Sequence, residues 1–512
     1  MAGRHRGLPY LVRLVVAGLV CVTVALAAGA GVVAAQPSSG STADEDVLGY
    51  LQAQLRASHV PSAAYAIVAD GGVTGSGALG AGVTVDTPFL LGSLSKSFTA
   101  LAVMQLVDQG RIALDSPITQ YISWFRTAGG SEPITVRHLL EQTSGLPTAA
   151  GTVDLYEPSV TLEDRVRALA DIELVSTPGA EFHYCNKNYA TLGLLVETVS
   201  GQAFADYVQA HIFDPLRMTR SFTDLDAARE AGLVEGTTTV FGASVERDTP
   251  AFPGALPDGY LISTAGDLGH YLEFQMTGSF DGVRLLSEAG LALMHAPAVP
   301  IADDGALSGV DDYGFGWGAG SVAGQPVVRH DGDLANYHSN LGFLPDRGVG
   351  LVVLTAANPV LVDSGTAFDG AMAMLAGDGA PSISNAFTVT YVVVGAVAAV
   401  ALLAMVLATR GQVRRARTLP RRLRDNGFVA GALLPGLRDL AAAVAVYVAV
   451  FVGVGYLGFG GPVSIAVAFG ALPDVTVLVL VIVAFLALRA LAWVGYGMLV
   501  RARAGVPRPL PT

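Results

Sequence analysis

Three apolar runs near the C-terminus constrain this chain more than any other feature. They read as 387–409, 440–459 and 475–500. Each reaches the ~20 residues that cross the hydrocarbon of a bilayer, so three transmembrane helices are predicted. The loop between the first two, 410–439, carries eight arginines from Arg410 to Arg438, whereas Gly460–Asp474 carries no Lys or Arg. The tail 501–512 again carries Arg501, Arg503 and Arg508. Positive charge stays on the cytoplasmic side, which places that loop and the tail inside and the acidic middle of the chain outside. The basic loop reads first as a topology determinant and second as a surface for anionic membrane lipid. Arg489 lies within the third run. It reads first as a side chain snorkelling to the inner face and second as an intramembrane functional charge.

The opposite end agrees with this topology. Arg4, Arg6 and Arg13 precede an apolar run, Leu14–Ala35, ending in the small residues Val33, Ala34 and Ala35. Residues 1–36 therefore read as a signal peptide or an uncleaved N-terminal anchor, followed by a polar linker, 37–46. Of the chain's 512 residues 52% are hydrophobic and 14% charged, with mean hydropathy +0.50, which excludes an ordinary cytosolic enzyme. Net charge is −13, yet both ends are basic. The region between them keeps 15 basic against 40 acidic residues, a net of −25, which excludes nucleic acid as a partner. Two cysteines, Cys21 and Cys185, exclude a disulfide scaffold and a cysteine zinc site.

Residues 47–378 read as one extracytoplasmic α/β (α+β) domain. Val47–His59 has helical spacing and Ala63–Ala69 reads as a strand. The glycine-rich Gly71–Gly82 formally matches a dinucleotide fingerprint, but strand-like sequence follows it, so a hairpin is expected. Residues 95–270 are mostly helical by pattern. Short β runs return at Val327–His330, Asn340–Leu344 and Gly350–Thr355, and Ser364–Ala376 reads as a helix. Strands from both ends are thus expected to make one antiparallel sheet with a helical subdomain between them.

Of 30 basic residues only Lys96 and Lys187 are lysine. Arginine cannot deprotonate in a protein, whereas a buried lysine can, so a retained lysine is a candidate base. Ser93 stands three residues before Lys96, which puts both on one helix face. The helix start adds N–H groups and partial positive charge beside any developing oxyanion. That arrangement activates a serine for acyl transfer. No G-x-S-x-G elbow and no H-E-x-x-H occurs, and His59, His211, His270 and His295 read as packing or surface residues. No cofactor and no metal is implied.

The order of motifs in this domain resembles the serine β-lactamase and penicillin-binding-protein superfamily, in its class C-like, D-alanyl-D-alanine carboxypeptidase and esterase branch. The resemblance spans about residues 45–375. It runs through Ser93-Leu94-Ser95-Lys96, then Ile134–Leu140 with Thr143–Pro147. Tyr184-Cys185-Asn186 follows with Tyr189, then Ile262–Leu268, and finally His330-Asp331-Gly332. The resemblance implies a β-lactamase/transpeptidase-like fold with Ser93 as nucleophile and Lys96 helping to deprotonate it. It implies Tyr184, as phenolate or proton shuttle, serving as base for attack and acid for the leaving group. That role needs a pKa well below the free value near 10, driven by Lys96 and His330. Asn186 would bind the acyl side of the substrate, and His330 and Gly332 would line the opposite wall. The N–H groups of Ser93 and Asp333 would form the oxyanion hole, worth about 3–4 kcal/mol per donor. Cys185 is expected to be a buried thiol and Lys187 to face solvent.

The third motif departs from the pattern. Carboxypeptidase and β-lactamase members usually carry Thr or Ser where this chain has Asp331. An aspartate facing the site would repel a substrate carboxylate, so Asp331→Thr is expected to improve D-alanine release. Strand alternation is also able to turn Asp331 away. With the acidic field of the domain, this favours a neutral or cationic ester or amide of the cell envelope. The function expected is a membrane-anchored extracytoplasmic serine hydrolase. A D-alanyl-D-alanine carboxypeptidase is the alternative, and a slowly acylating β-lactam or cell-wall-fragment sensor the second.

Overall fold

In the computed structural model the described residues are 43–503, excepting 130–132, 152–159, 302–308, 429–431, 455–464, 466–467 and 470–471. The expected signal or anchor segment and residues 504–512 lie outside them. Among the described residues the chain divides into two compact units, one essentially 43–387, the other holding the C-terminal helices.

The larger unit is built on an eight-stranded sheet. Its strands, in chain order with those of two small two-stranded sheets, are β1 (Ala63–Ala69), β2 (Gly72–Leu79), β3 (Phe89–Leu90), β4 (Thr237–Val240), β5 (Ala243–Glu246), β6 (Ile262–Ser263), β7 (Val299–Pro300), β8 (Asp312–Tyr313), β9 (Gly318–Val322), β10 (Gln325–Leu334), β11 (Tyr337–Leu344) and β12 (Val349–Thr355). The large sheet runs β2-β1-β12-β11-β10-β9-β8-β7, with every pairing antiparallel. Strands from both ends of the unit therefore make one sheet, and the helices lie between them in sequence. β1 keeps the expected bounds, while β10 and β11 run longer than the apolar stretches that announced them.

The glycine-rich segment is the second arm of a hairpin. Asp70 and Gly71, with φ of 51° and 81°, make the primed turn that suits a two-residue hairpin. Gly77 is glycine because a Cβ there would stand 2.5 Å from the Tyr65 ring on the neighbouring strand.

Alternation along the strands feeds two cores. Ala64, Ala66, Val68, Leu341, Val352 and Leu354 pack toward the helical subdomain with Phe98, Leu101 and Tyr271. Tyr65, Ile67, Leu351 and Val353 pack on the other face, against helices Ala43–Ala57 and Thr366–Leu375 through Leu51, Leu55, Phe368 and Met372. The first of these helices starts inside the expected linker. Asp44, Glu45 and Asp46 occupy its first turn, where acidic side chains offset the helix dipole.

The second unit holds three helices long and apolar enough to cross a membrane: Ala386–Ala416, Leu434–Gly453 and Pro473–Arg503. They fit membrane association. The first continues past Thr409, since arginine is a good helix former. The second starts six residues before its expected bound, at Leu434, where Pro435 occupies the first turn. Small residues set the packing of the second and third: a Cβ on Gly436 would stand 2.5 Å from the Val494 side chain. Arg489 is not simply snorkelling. Its Nε stands 3.0 Å from an Asp439 carboxylate oxygen, and Arg438 holds the other oxygen at 3.1 Å.

Candidate active site

Leu91, Gly92 and Ser93 form a sharp turn between β3 and the helix Ser95–Asp108. Gly92 adopts φ of 54°, and a Cβ there would meet the Asp333 amide nitrogen at 2.7 Å. Gly332 sits as close from the other side: its Cβ would stand 1.9 Å from the Leu91 carbonyl oxygen. The glycine of the third motif is thus set by contact with the turn that carries Ser93. Two hydroxyls fasten this turn. Ser95 Oγ donates to Gly92 O at 2.8 Å and accepts from Leu261 N at 3.1 Å. Ser339 Oγ donates to Leu91 O at 2.6 Å.

Ser93 is half-buried and Lys96 fully buried. Lys96 Nζ stands 2.8 Å from Ser93 Oγ and 2.7 Å from the Asp258 carbonyl oxygen, and 5.0 Å from the centre of the Tyr184 ring. Burial lowers the Lys96 pKa to about 7; Asp258 opposes the shift and Arg165 adds to it. Such an amine is half deprotonated at neutral pH, which is what a base for Ser93 needs.

The Tyr184 phenol moves the other way from the phenolate expectation. Burial first, then Tyr313, raises its pKa well above the ordinary value, while an interaction with the Ser93 hydroxyl pulls down. The groups expected to lower it fail to do so. Lys96 is itself easily deprotonated, and burial, with Lys96, lowers the His330 pKa to about 4. Tyr184 is therefore a neutral phenol, suited to relaying a proton and unsuited to resting as an anion.

The His330 tautomer follows from its partners. The Asp331 carbonyl, 2.6 Å from Nδ1, can only accept, so Nδ1 carries the proton. Nε2 then accepts from the Tyr313 hydroxyl at 3.1 Å. Both ring nitrogens are engaged within the protein.

Asp331 faces away from the site. Its carboxylate accepts both bonds from Arg329 Nη2 at 3.0 Å and one from Asn340 at 2.9 Å, and Arg329 continues to Asp369 and the Phe368 ring. Strand alternation sends Asp331 to the helix-covered face and His330 to the cleft. The expected repulsion of a substrate carboxylate is thus overturned, and with it the expected gain from Asp331→Thr. That substitution now should leave D-alanine release from a stem-peptide mimic no faster than wild type. It should lower thermal stability by about 1–3 kcal/mol, since Arg329 loses a buried partner; release rates and a melting curve check both.

Asn186 starts the helix Asn186–Ser200. Its Nδ2 donates to Gly151 O at 3.3 Å, and its Oδ1 is buried without a partner among the described residues. The Thr143–Pro147 segment holds this region from below. Gln142 Oε1 accepts from Cys185 N and Asn188 Nδ2, and Ser144 Oγ donates to Asn188 Oδ1 at 2.6 Å. Cys185 is a fully buried thiol. Lys187, expected to face solvent, is 6% exposed: the first turn of its helix packs inward on several sides. The Asp333 side chain accepts from His338 Nδ1 at 2.7 Å and Asn358 Nδ2 at 2.9 Å, which fixes the strand behind its amide.

Two features escaped the sequence. Arg165 and Asp258 form a bidentate pair at 2.6 and 2.9 Å with no side-chain exposure, and it is the Asp258 carbonyl that holds Lys96. Tyr313 is the second. The only signal for it was the aromatic and glycine run Tyr313–Trp317, whose Gly316 packs on the Lys96 carbonyl.

A profile described as Beta-lactamase matches residues 49–371, well over half of the chain. The chain belongs to the β-lactamase family. It is 32% identical over 313 residues to penicillin-binding protein 4 of Amycolatopsis lactamdurans, covering 58% of this chain and 81% of that one. The octameric penicillin-binding protein homologue of Pyrococcus abyssi superposes with TM-score 0.59 at 27% identity, over 65% of this chain and 78% of that one. A D-stereospecific amidohydrolase of a Streptomyces species superposes with TM-score 0.51 at 25% identity, over 61% and 94%. The β-lactamase/transpeptidase-like fold and the serine-hydrolase class expected of the chain both stand.

Proposed function

We propose that this β-lactamase-family serine hydrolase is membrane-anchored, with residues 47–378 outside the membrane, and acts on a neutral ester or amide of the cell envelope. The observation that carries the reading is the buried Lys96 amine 2.8 Å from Ser93 Oγ. Neutral Lys96 takes the Ser93 proton as Oγ attacks the substrate carbonyl. The Ser93 and Asp333 amides hold the oxyanion, and the Asn186 side chain meets the acyl side. Tyr184 passes the proton to the leaving group, leaving an acyl-Ser93 that water then hydrolyses. His330 and Gly332 line the wall opposite Asn186.

The substrate class rests on the third motif. His330 is neutral with both nitrogens engaged, Ser339 is spent on Leu91, and Asp331 faces away. Among the described residues of these two strands, His330, Asp331 and Ser339 leave no cation or hydroxyl to pair with a substrate carboxylate, which favours a neutral leaving group. The likeness to penicillin-binding protein 4 supports a second reading, a D-alanyl-D-alanine carboxypeptidase.

The test is steady-state hydrolysis of a short-chain chromogenic ester by the full-length chain in detergent, beside Ser93→Ala. Turnover is expected in the wild type and a fall of at least about 10⁴-fold in the variant. Equal turnover in both would remove Ser93 from the mechanism. A single stoichiometric burst followed by no turnover would favour the sensor instead.

A further inference from the structure

The membrane unit contains a cavity that the hydrolase reading does not use. It measures about 120 Å³ and is lined by Arg415, Arg422, Arg438, Asp439, Arg489 and Trp493. Four guanidinium groups thus meet one carboxylate. Asp439 spends its two oxygens on Arg438 and Arg489. Among the described residues, Arg415 and Arg422 form no ion pair with a carboxylate. The Trp493 indole adds a buried donor: the residue is 5% exposed and its Nε1 has no partner among the described residues. Buried indole N–H groups normally find an acceptor.

An excess of fixed arginines beside an unused N–H is a site for a multidentate anion, and a phosphoryl group matches it in charge and acceptor number. The cavity's position points to the source. Arg415 is in the last turn of the helix Ala386–Ala416 and Arg438 in the first turns of the helix that begins at Leu434. Arg489 lies twelve residues, about 18 Å of helix, before Arg501. Arg415, Arg422 and Arg438 therefore set the cavity's rim where apolar helix gives way to basic chain, the level of lipid headgroups, and Arg489 reaches it from within the third helix. We propose that it binds the phosphoryl headgroup of an anionic lipid, with Arg415, Arg422, Arg489 and the Trp493 N–H as ligands and Asp439 holding Arg489 in place.

The test is native mass spectrometry of the full-length chain in a neutral detergent, titrated with phosphatidylglycerol, phosphatidylcholine or sodium phosphate. Phosphatidylglycerol is expected to bind at least about tenfold more tightly than phosphatidylcholine and to resist millimolar phosphate. Arg415→Gln with Arg422→Gln, a pair that leaves the Asp439–Arg489 contact intact, is expected to weaken it at least tenfold. Trp493→Phe keeps the ring and removes the N–H, and a several-fold loss is expected. Ester hydrolysis by both variants should match wild type. Binding unchanged in both variants would overturn the site. Displacement by phosphate, without preference between lipids, would overturn the lipid in favour of a free phosphate.

Discussion

Replacing Lys96 with arginine is expected to lower kcat/KM on a chromogenic ester by about 10³-fold while the chain remains folded. Arginine keeps the positive charge and much of the length, so a lysine acting only as a cation would be replaced with modest loss. A base cannot be replaced this way, because guanidinium does not release a proton in a protein, and removing a general base costs about 10²–10⁴-fold. Burial already brings the Lys96 pKa to about 7, so the neutral amine is abundant under ordinary conditions. Steady-state kinetics of Lys96→Arg with a melting curve separates the two roles. A loss of less than tenfold would make Lys96 an electrostatic neighbour and not a base.

Arg165→Met should be the most destabilising single change in the hydrolase unit, at about 3–5 kcal/mol. Arg165 and Asp258 are fully buried, and removing one partner leaves an uncompensated charge in the core. Arg165 also donates to Gly254 O at 2.7 Å and stacks on Phe252, so it fastens the whole Pro253–Tyr260 turn. That turn presents the carbonyl that holds Lys96, so kcat should fall more than KM changes. Replacing both partners, Arg165→Met with Asp258→Leu, should recover much of the stability, because a matched apolar pair leaves no buried charge. Denaturant unfolding of the single and double variants checks the sign. A double variant as unstable as Arg165→Met would mean that packing, not charge, dominates there.

The contrast between these residues and Ser93 explains what the sequence could and could not tell. Ser93 and Lys96 are three residues apart across the start of one helix, so their contact is written locally. β1 was legible because an unbroken apolar run between polar turns has few alternatives. The glycine-rich hairpin was legible through the strand pattern after it. Arg165 and Asp258 meet across 93 positions, and no local spacing announces such a pair. Asp331 was ambiguous for a different reason: a one-residue step along a strand reverses the face, and only the pairing of β10 with β11, Asp331 opposite Asn340, decides it. The Tyr184 error was one of environment. A phenol beside a lysine is expected to ionise, but here burial acts on both, and it lowers the lysine and raises the phenol together. Arg489 read as a snorkelling side chain because its partner, Asp439, fell in the expected loop, on a helix that starts six residues earlier than its apolar run.

The most direct measurement is the pH dependence of kcat/KM for ester hydrolysis between pH 5 and 9, for wild type and Lys96→Arg. Lys96 works when deprotonated and its pKa is depressed, so activity should be low at pH 5 and rise with pH. The half-maximal point should fall near 7, with no further limb from His330, which is neutral throughout. The variant should lose that limb along with its rate. A wild-type profile flat from pH 5 to 9, or one whose limb survives in Lys96→Arg, would contradict Lys96 as the base that activates Ser93.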